Sequence, residues 1–207
     1  PKSGSTFLKH LLLDTTKFAD MFSVYSAILN EHELDLPQLL KFAARNTVTQ
    51  QHCRASEANI HLMQAFGIRP VVLVRNIFDT AMSLRDFYDG GFIYSTFFER
   101  EHYMALAPEE KIDLLIEYAL PWHFQFLASW QRAARAKRLE VFFLTYEELI
   151  SDPPIALARV LGFYGMQARA EDLQGIVAVR NADRRSNRFN QGVTGRGEQG
   201  LTDEQKA

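Results

Sequence analysis

Pro1-Lys2-Ser3-Gly4-Ser5-Thr6-Phe7-Leu8 is the stretch on which the reading of this chain turns. A lysine, a glycine and three hydroxyls lead directly into Phe7 to Leu13, whose apolar content suits a buried helical turn or two. Loops of this kind leave the end of a central parallel strand, because strand end and helix start together place backbone N–H groups around an anion. Lys2 adds a mobile positive charge, Gly4 permits close backbone approach, and Ser5 and Thr6 add hydroxyl donors. No strand precedes the loop, so the first strand of the sheet is expected to be missing from the sequence, which reads as N-terminally incomplete. The same residues also suit an ordinary surface turn, and the remainder of the chain has to decide between the two.

Working outward, Leu34 to Arg45 reads as a helix with Pro37 in its first turn, and Thr47 to His52 as a short strand. Ser56 can cap a helix over Glu57 to Phe66 that stops at Gly67. Val71-Val72-Leu73-Val74 is a nearly all-apolar run rich in β-branched valine, as befits a central parallel strand, and a helix over Asp79 to Phe87 follows. Pro108-Glu109-Glu110 opens a helical pattern that continues to about Arg135 with an interruption near Pro121. Leu139 to Leu144 is a further strand, followed by helices from Pro153 to Leu161 and from Ala170 to about Val179. Trp122 and Trp130 read as core anchors. Strands alternating with helices at this spacing predict a three-layer α/β/α fold with a central, mainly parallel sheet. In such folds ligands sit at the carboxyl ends of the strands, and Lys2, His52, Arg75 and Tyr146 all fall at or just beyond such ends.

Composition narrows the classes. A chain of 207 residues with 47% hydrophobic and 23% charged content suits one α/β core, so residues 1–207 are expected to form a single domain. A formal net charge of -2 argues against a nucleic-acid partner. The one cysteine, Cys53, permits neither an internal disulfide nor a metal-ligand cluster. No stretch is apolar enough to span a bilayer and no signal peptide is visible, which suggests a cytoplasmic protein, subject to whatever precedes Pro1. The opening loop does not follow the G-x-x-x-x-G-K-[ST] order of magnesium-dependent nucleotide hydrolases, since Lys2 comes before Gly4, so a group transfer that requires no metal is expected.

Four segments resemble, in order, the motifs of the sulfotransferases that use 3′-phosphoadenosine 5′-phosphosulfate (PAPS). Pro1 to Phe7 resembles their P-K-S-G-T-T-W loop, which holds the 5′-phosphosulfate. Arg75-Asn76-Ile77-Phe78-Asp79, followed by Ser83, is similar to their R-N-P-K-D…S segment, which holds the 3′-phosphate. Tyr146-Glu147-Glu148-Leu149-Ile150-Ser151-Asp152-Pro153 resembles their Y-E-D-L-x-x-D-P element, whose aromatic lies beside the adenine. Gly192-Val193-Thr194-Gly195 resembles the core of their late R-K-G-x-x-G-x-W loop, which closes over the 3′-phosphate.

The resemblance implies a P-loop NTPase-like sulfotransferase fold, PAPS as donor, 3′,5′-bisphosphoadenosine (PAP) as product, and a small-molecule or glycan hydroxyl, or an amine, as acceptor. It implies Lys2 stabilising the leaving phosphate and His52 as general base, and donor contacts from Ser3, Gly4, Ser5, Thr6, Phe7, Arg75, Ser83 and Tyr146. Phe7 stands where the family has Trp and is expected to stack on adenine. Gln50 replaces the usual Lys two residues before the base. In the late loop, residues 181–200, Asn190 and Gln191 occupy the usual Arg and Lys positions and Gly197 the usual Trp position, so Arg188 and Arg196 are expected to supply charge beside Gly192.

Residues 89–107 are rich in glycine and aromatics, and Phe92, Tyr94, Phe97 and Phe98 are expected to form an acceptor-binding lid, with Phe22 and Tyr25 lining the same site. Packing beneath the next helix is the competing reading of those aromatics. A homodimer is compatible with the family. Two rival functions stay open: a kinase of similar fold, and a non-catalytic protein that binds adenosine bisphosphate. An interaction scaffold would leave the strand-end residues unexplained.

Overall fold

The computed structural model describes residues 2–24, 31–90, 98–183 and 193–207. Gly4, at φ 81°, turns the opening loop into α1 (Ser5–Thr16). β1 (Ala19–Asp20), α2 (Leu36–Phe42) and β2 (Thr47–Val48) follow, then α3 (Glu57–Ala65), β3 (Val71–Val74) and α4 (Ile77–Asp89). The chain continues through α5 (Arg100–Ala105), α6 (Pro108–Leu114), a π-helical turn over Leu115–Ala119, and α7 (Leu120–Arg135). β4 (Phe142–Thr145) leads into α8 (Tyr146–Ser151), α9 (Pro153–Phe163), α10 (Ala170–Ala182), α11 (Arg196–Gly200) and α12 (Asp203–Lys206).

Local chemistry accounts for most of these boundaries. Ser56 accepts the Asn59 N–H at 3.2 Å and starts α3. The Asn76 side chain accepts the N–H groups of Phe78 and Asp79 at 2.9 and 3.1 Å and starts α4 immediately after β3. Thr145 and Glu148 form a reciprocal capping box for α8, and Asp152 accepts the Ile155 N–H at 3.0 Å to start α9 behind Pro153. The interruption expected near Pro121 is the π-helical turn over Leu115–Ala119, and Pro121 itself sits in the first turn of α7, where a proline is tolerated.

Among the described residues the four strands form two two-stranded parallel pairs, β1 with β2, and β3 with β4 in the register Val71↔Phe142 to Val74↔Thr145. Alternate residues of β3 and β4 face opposite layers. Leu73 and Leu144 pack with Phe7, Leu11, Leu149, Leu157, Val160 and Val177, so α1, α8, α9 and α10 cover one face. Val72 packs with Leu39, Met63 and Trp130, so α2, α3 and α7 cover the other. A third cluster joins α4 to α5 and the π turn through Leu84, Tyr88, Tyr103 and Leu115. The result is the three-layer α/β/α arrangement with a parallel sheet.

Three boundaries differ from expectation. The helix expected from Leu34 begins at Leu36, because Leu34 is held in a bridge to Val24. The strand expected over Thr47 to His52 is confined to Thr47–Val48, and that expected over Leu139 to Leu144 lies at Phe142–Thr145. Among the described residues no helix is long and apolar enough to cross a membrane, and no cluster of three or more His, Cys, Asp or Glu is placed to hold a metal ion.

Candidate active site

The parallel register that pairs Val74 with Thr145 sets the next residues of both strands side by side. Arg75 leaves β3 and Tyr146 leaves β4, and the guanidinium lies over the phenol ring at 4.2 Å. Beneath the loop that carries Lys2, the same ring meets Gly4: a Cβ built on Gly4 would fall 2.9 Å from Tyr146 Cδ2. Gly4 therefore answers two demands, a positive φ and contact with an aromatic ring. The Arg75 Nη1 donates to the Lys2 carbonyl at 3.3 Å and Nη2 to the Val193 carbonyl at 2.9 Å. One buried arginine thus joins the opening loop, the end of β3 and the late segment.

Lys2 occupies the left-handed region at φ 64°, an uncommon place for a residue with a side chain, and its Nζ lies 4.5 Å from the centre of the Phe87 ring. Ser3 is buried, and so is Ser83 on α4. The N-cap of α1 is Gly4, which has no side chain to accept from the first turn, unlike the caps of α3, α4 and α9, and a helix N-terminus of this kind suits an anion. Arg75 Nε is buried with no hydrogen-bond partner among the described residues. A buried guanidinium with a spare donor beside a helix start fits a phosphate-bearing ligand.

β2 brings the second half of the site. Gln50 reaches the opening loop, its Nε2 donating to Ser5 Oγ at 2.7 Å and lying 3.4 Å from Thr6 Oγ1. Two residues on, the backbone of His52 is clamped by His32. The His32 N–H donates to the His52 carbonyl at 2.8 Å, the His52 N–H donates to His32 Nδ1 at 3.0 Å, and the rings stack 5.1 Å apart at 12°. His32 Nδ1 must be unprotonated to accept that bond. Asn59, fully buried, secures this corner by accepting the Leu34 N–H at 2.9 Å and donating to the Arg54 carbonyl at 3.0 Å.

Four expectations need correction. Phe7 is wholly buried in the core beside Leu11, because α1 starts at Ser5 and so turns positions 7, 8 and 11 toward the sheet; it does not offer a ring to adenine. Tyr146 is also buried, as a floor for Gly4 and Arg75 rather than as an open stacking face. Arg196 is ion-paired with Asp86 at 2.7 Å, since α11 docks on α4. Burial works against ionising Asp86, but hydrogen bonds from Arg196 and Arg85 hold its carboxyl below the usual range. Phe98 stacks on Tyr103 at 4.9 Å and edges Tyr88 at 4.9 Å, which makes it a packing residue.

Phe22 is 54% exposed. Tyr25, Phe92, Tyr94, Phe97, Arg188 and Gly192 lie outside the described residues. His32, Gln50, Asp79 and Phe87 are the contributors that sequence reasoning did not place in the site. For Asp79 a signal existed, its place in the first turn of the helix that begins just after Arg75.

Comparisons with known proteins bear on the family and the fold. The model of the sulfotransferase domain family matches residues 1–194. Among solved structures, mouse sulfotransferase SULT7A1 complexed with PAP superposes with a TM-score of 0.71 at 17% identity, covering 100% of this chain and 77% of that one. Retinol dehydratase in complex with androsterone and inactive cofactor PAP gives a TM-score of 0.62 at 15% identity, covering 100% of this chain and 75% of that one. At such identities the likeness is one of fold. A comparison with curated proteins returned no match. The match along almost the whole chain is decisive: it belongs to the sulfotransferase domain family and is a transferase.

Proposed function

We propose that this protein transfers a sulfuryl group from PAPS to an acceptor hydroxyl, with Lys2 and His52 as its catalytic side chains. The observation that carries the reading is Arg75, held over Tyr146 and bonded to both the Lys2 and Val193 carbonyls, beside an uncapped helix start. A donor phosphorylated at both ends of its nucleoside needs two anion sites a fixed distance apart, and Arg75 ties the opening loop to the late segment in that way. The family match and the PAP-bound relatives of like fold support the same donor.

PAPS supplies the sulfuryl group already activated on a phosphate leaving group. The chain's own residues do the rest. Ser3, Gly4, Ser5 and Thr6 offer amides and hydroxyls at the start of α1, while Arg75 and Ser83 bind the 3′-phosphate. Lys2 holds a cation where negative charge accumulates as the bond between sulfur and the bridging oxygen breaks. His52 takes the proton of the acceptor hydroxyl as its oxygen bonds to sulfur, and the His32 clamp holds the His52 backbone in place for that task. Gln50, tied to Ser5, links the base-bearing segment to the phosphate loop.

Kinetics of two variants test these assignments. His52→Ala is expected to lower kcat by about 10²- to 10⁴-fold with donor binding unchanged, and Lys2→Ala to lower kcat with a weaker effect on PAP affinity. Full turnover in His52→Ala with normal donor binding would remove the base from this account.

A further inference from the structure

The late segment is fixed to α4 by a buried carboxylate that the reaction itself has no use for. Asp79, in the first turn of α4, is 2% exposed. Its Oδ2 accepts the Gly195 N–H at 2.8 Å and its Oδ1 accepts the Gly197 N–H at 2.8 Å. Arg75 Nη2, from the loop just before α4, lies 3.8 Å from Oδ2 and donates to the Val193 carbonyl at 2.9 Å. Asp86, two turns further along the same face of α4, takes Arg196 at 2.7 Å.

The glycines in this segment follow from that grip. Gly195 has φ 80°, and its Cβ position is open. Gly197 has no room at all, because a Cβ there would lie 2.3 Å from Phe78 Cβ and 2.4 Å from the Phe78 carbonyl carbon. The family's usual tryptophan is sterically impossible at Gly197 in this arrangement. The Asp79 carboxylate, gripping two backbone N–H groups, fastens the segment instead of a side chain at position 197.

We propose that Asp79 is a positioning residue that couples the two halves of the donor site. It fixes the backbone of 193–197 against Arg75, and so sets how the guanidinium is shared between the late segment and the Lys2 carbonyl. Affinity for the 3′-phosphate then depends on a carboxylate that does not touch the donor. This rests on the PAPS reading above.

Calorimetric titration with PAP and with adenosine 5′-phosphate, which lacks the 3′-phosphate, tests the coupling. Asp79→Asn keeps the size of the side chain but turns one acceptor into a donor facing an N–H. It is expected to raise the Kd for PAP tenfold or more and that for adenosine 5′-phosphate less than twofold. Gly195→Ala strains the same segment from its open side, so it tests the coupling even if the buried substitution fails to fold, and a weaker loss of PAP selectivity is expected. Amide hydrogen exchange reports the grip directly: the Gly195 and Gly197 amides should be protected in the wild type and exchange faster in both variants. Faster exchange with unchanged PAP affinity would overturn the coupling. Absence of PAP binding by the wild-type protein would instead overturn the donor reading, and the coupling with it.

Discussion

Gly4 and Arg75 press on opposite features of one ring, that of Tyr146, and each can be perturbed separately. Gly4→Ala combines a left-handed backbone at φ 81° with a Cβ only 2.9 Å from a buried aromatic carbon. A cost of about 1–3 kcal/mol is expected, read as a lower thermal midpoint. A midpoint unchanged within a degree would mean that the loop is looser than its contacts imply. Arg75→Lys keeps the charge but forfeits the planar stack and the two-way bonding to Lys2 and Val193. Hydrogen bonds to charged groups contribute about 1.5–3 kcal/mol, so PAP affinity by calorimetry should fall about tenfold or more. Equal affinity would show that Arg75 acts only as a structural tie.

Between elements, the helix layers are joined by ordinary apolar packing with a few specific pins. Leu144 is fully buried between β3 and the layer containing α1, and Leu144→Ala should cost about 2–5 kcal/mol in urea unfolding. Arg180 on α10 grips Asp14 on α1, with Nη2 donating to Oδ1 at 2.7 Å, and that hydrogen bond holds the Asp14 carboxyl below its usual range. β3 was plain in the sequence because Val71 to Val74 is apolar throughout and three of its four residues are β-branched, and α3 because Ser56 and Gly67 mark its ends. β1 was not legible: Ala19 and Asp20 carry no pattern, and only pairing with Thr47 and Val48 makes them a strand. α11 was hidden in a glycine-rich tail because its order comes from Asp79 and Asp86, far away in sequence. Phe7 was misplaced for a related reason, since likeness to a motif does not reveal which way a helix is rotated. The Lys2–Arg75–Tyr146 grouping was legible because strand ends converge in any parallel sheet.

For the molecule as a whole, the perturbed groups predict acid sensitivity. Burial pushes His123 down to about 3, from an ordinary value of 6.5. A backbone hydrogen bond from Thr145 and side-chain bonds from Arg159 and Thr145 hold Glu148 at about 2. In each case the unfolded chain binds the proton more readily than the folded one, so stability rises with pH across the window. The His123 contribution is complete above about pH 6.5 and lost as pH falls toward 3; that of Glu148 is lost between its ordinary 4.5 and about 2. Thermal melts from pH 7 to pH 4 should show a falling midpoint, and His123→Gln should flatten the upper part of that slope. Since His123 is only partly buried, its share stays below the one-proton limit of about 1.4 kcal/mol per pH unit. An unchanged slope would place the acid sensitivity elsewhere. The central claim, sulfuryl transfer from PAPS without a metal, is tested most directly by following radiolabelled sulfate from PAPS into a panel of phenols, alcohols and sugars in excess EDTA. The account predicts acceptor-dependent transfer with release of PAP, abolished in Lys2→Ala. Phosphoryl transfer from ATP that requires magnesium, or PAP binding with no transfer to any acceptor, would contradict it.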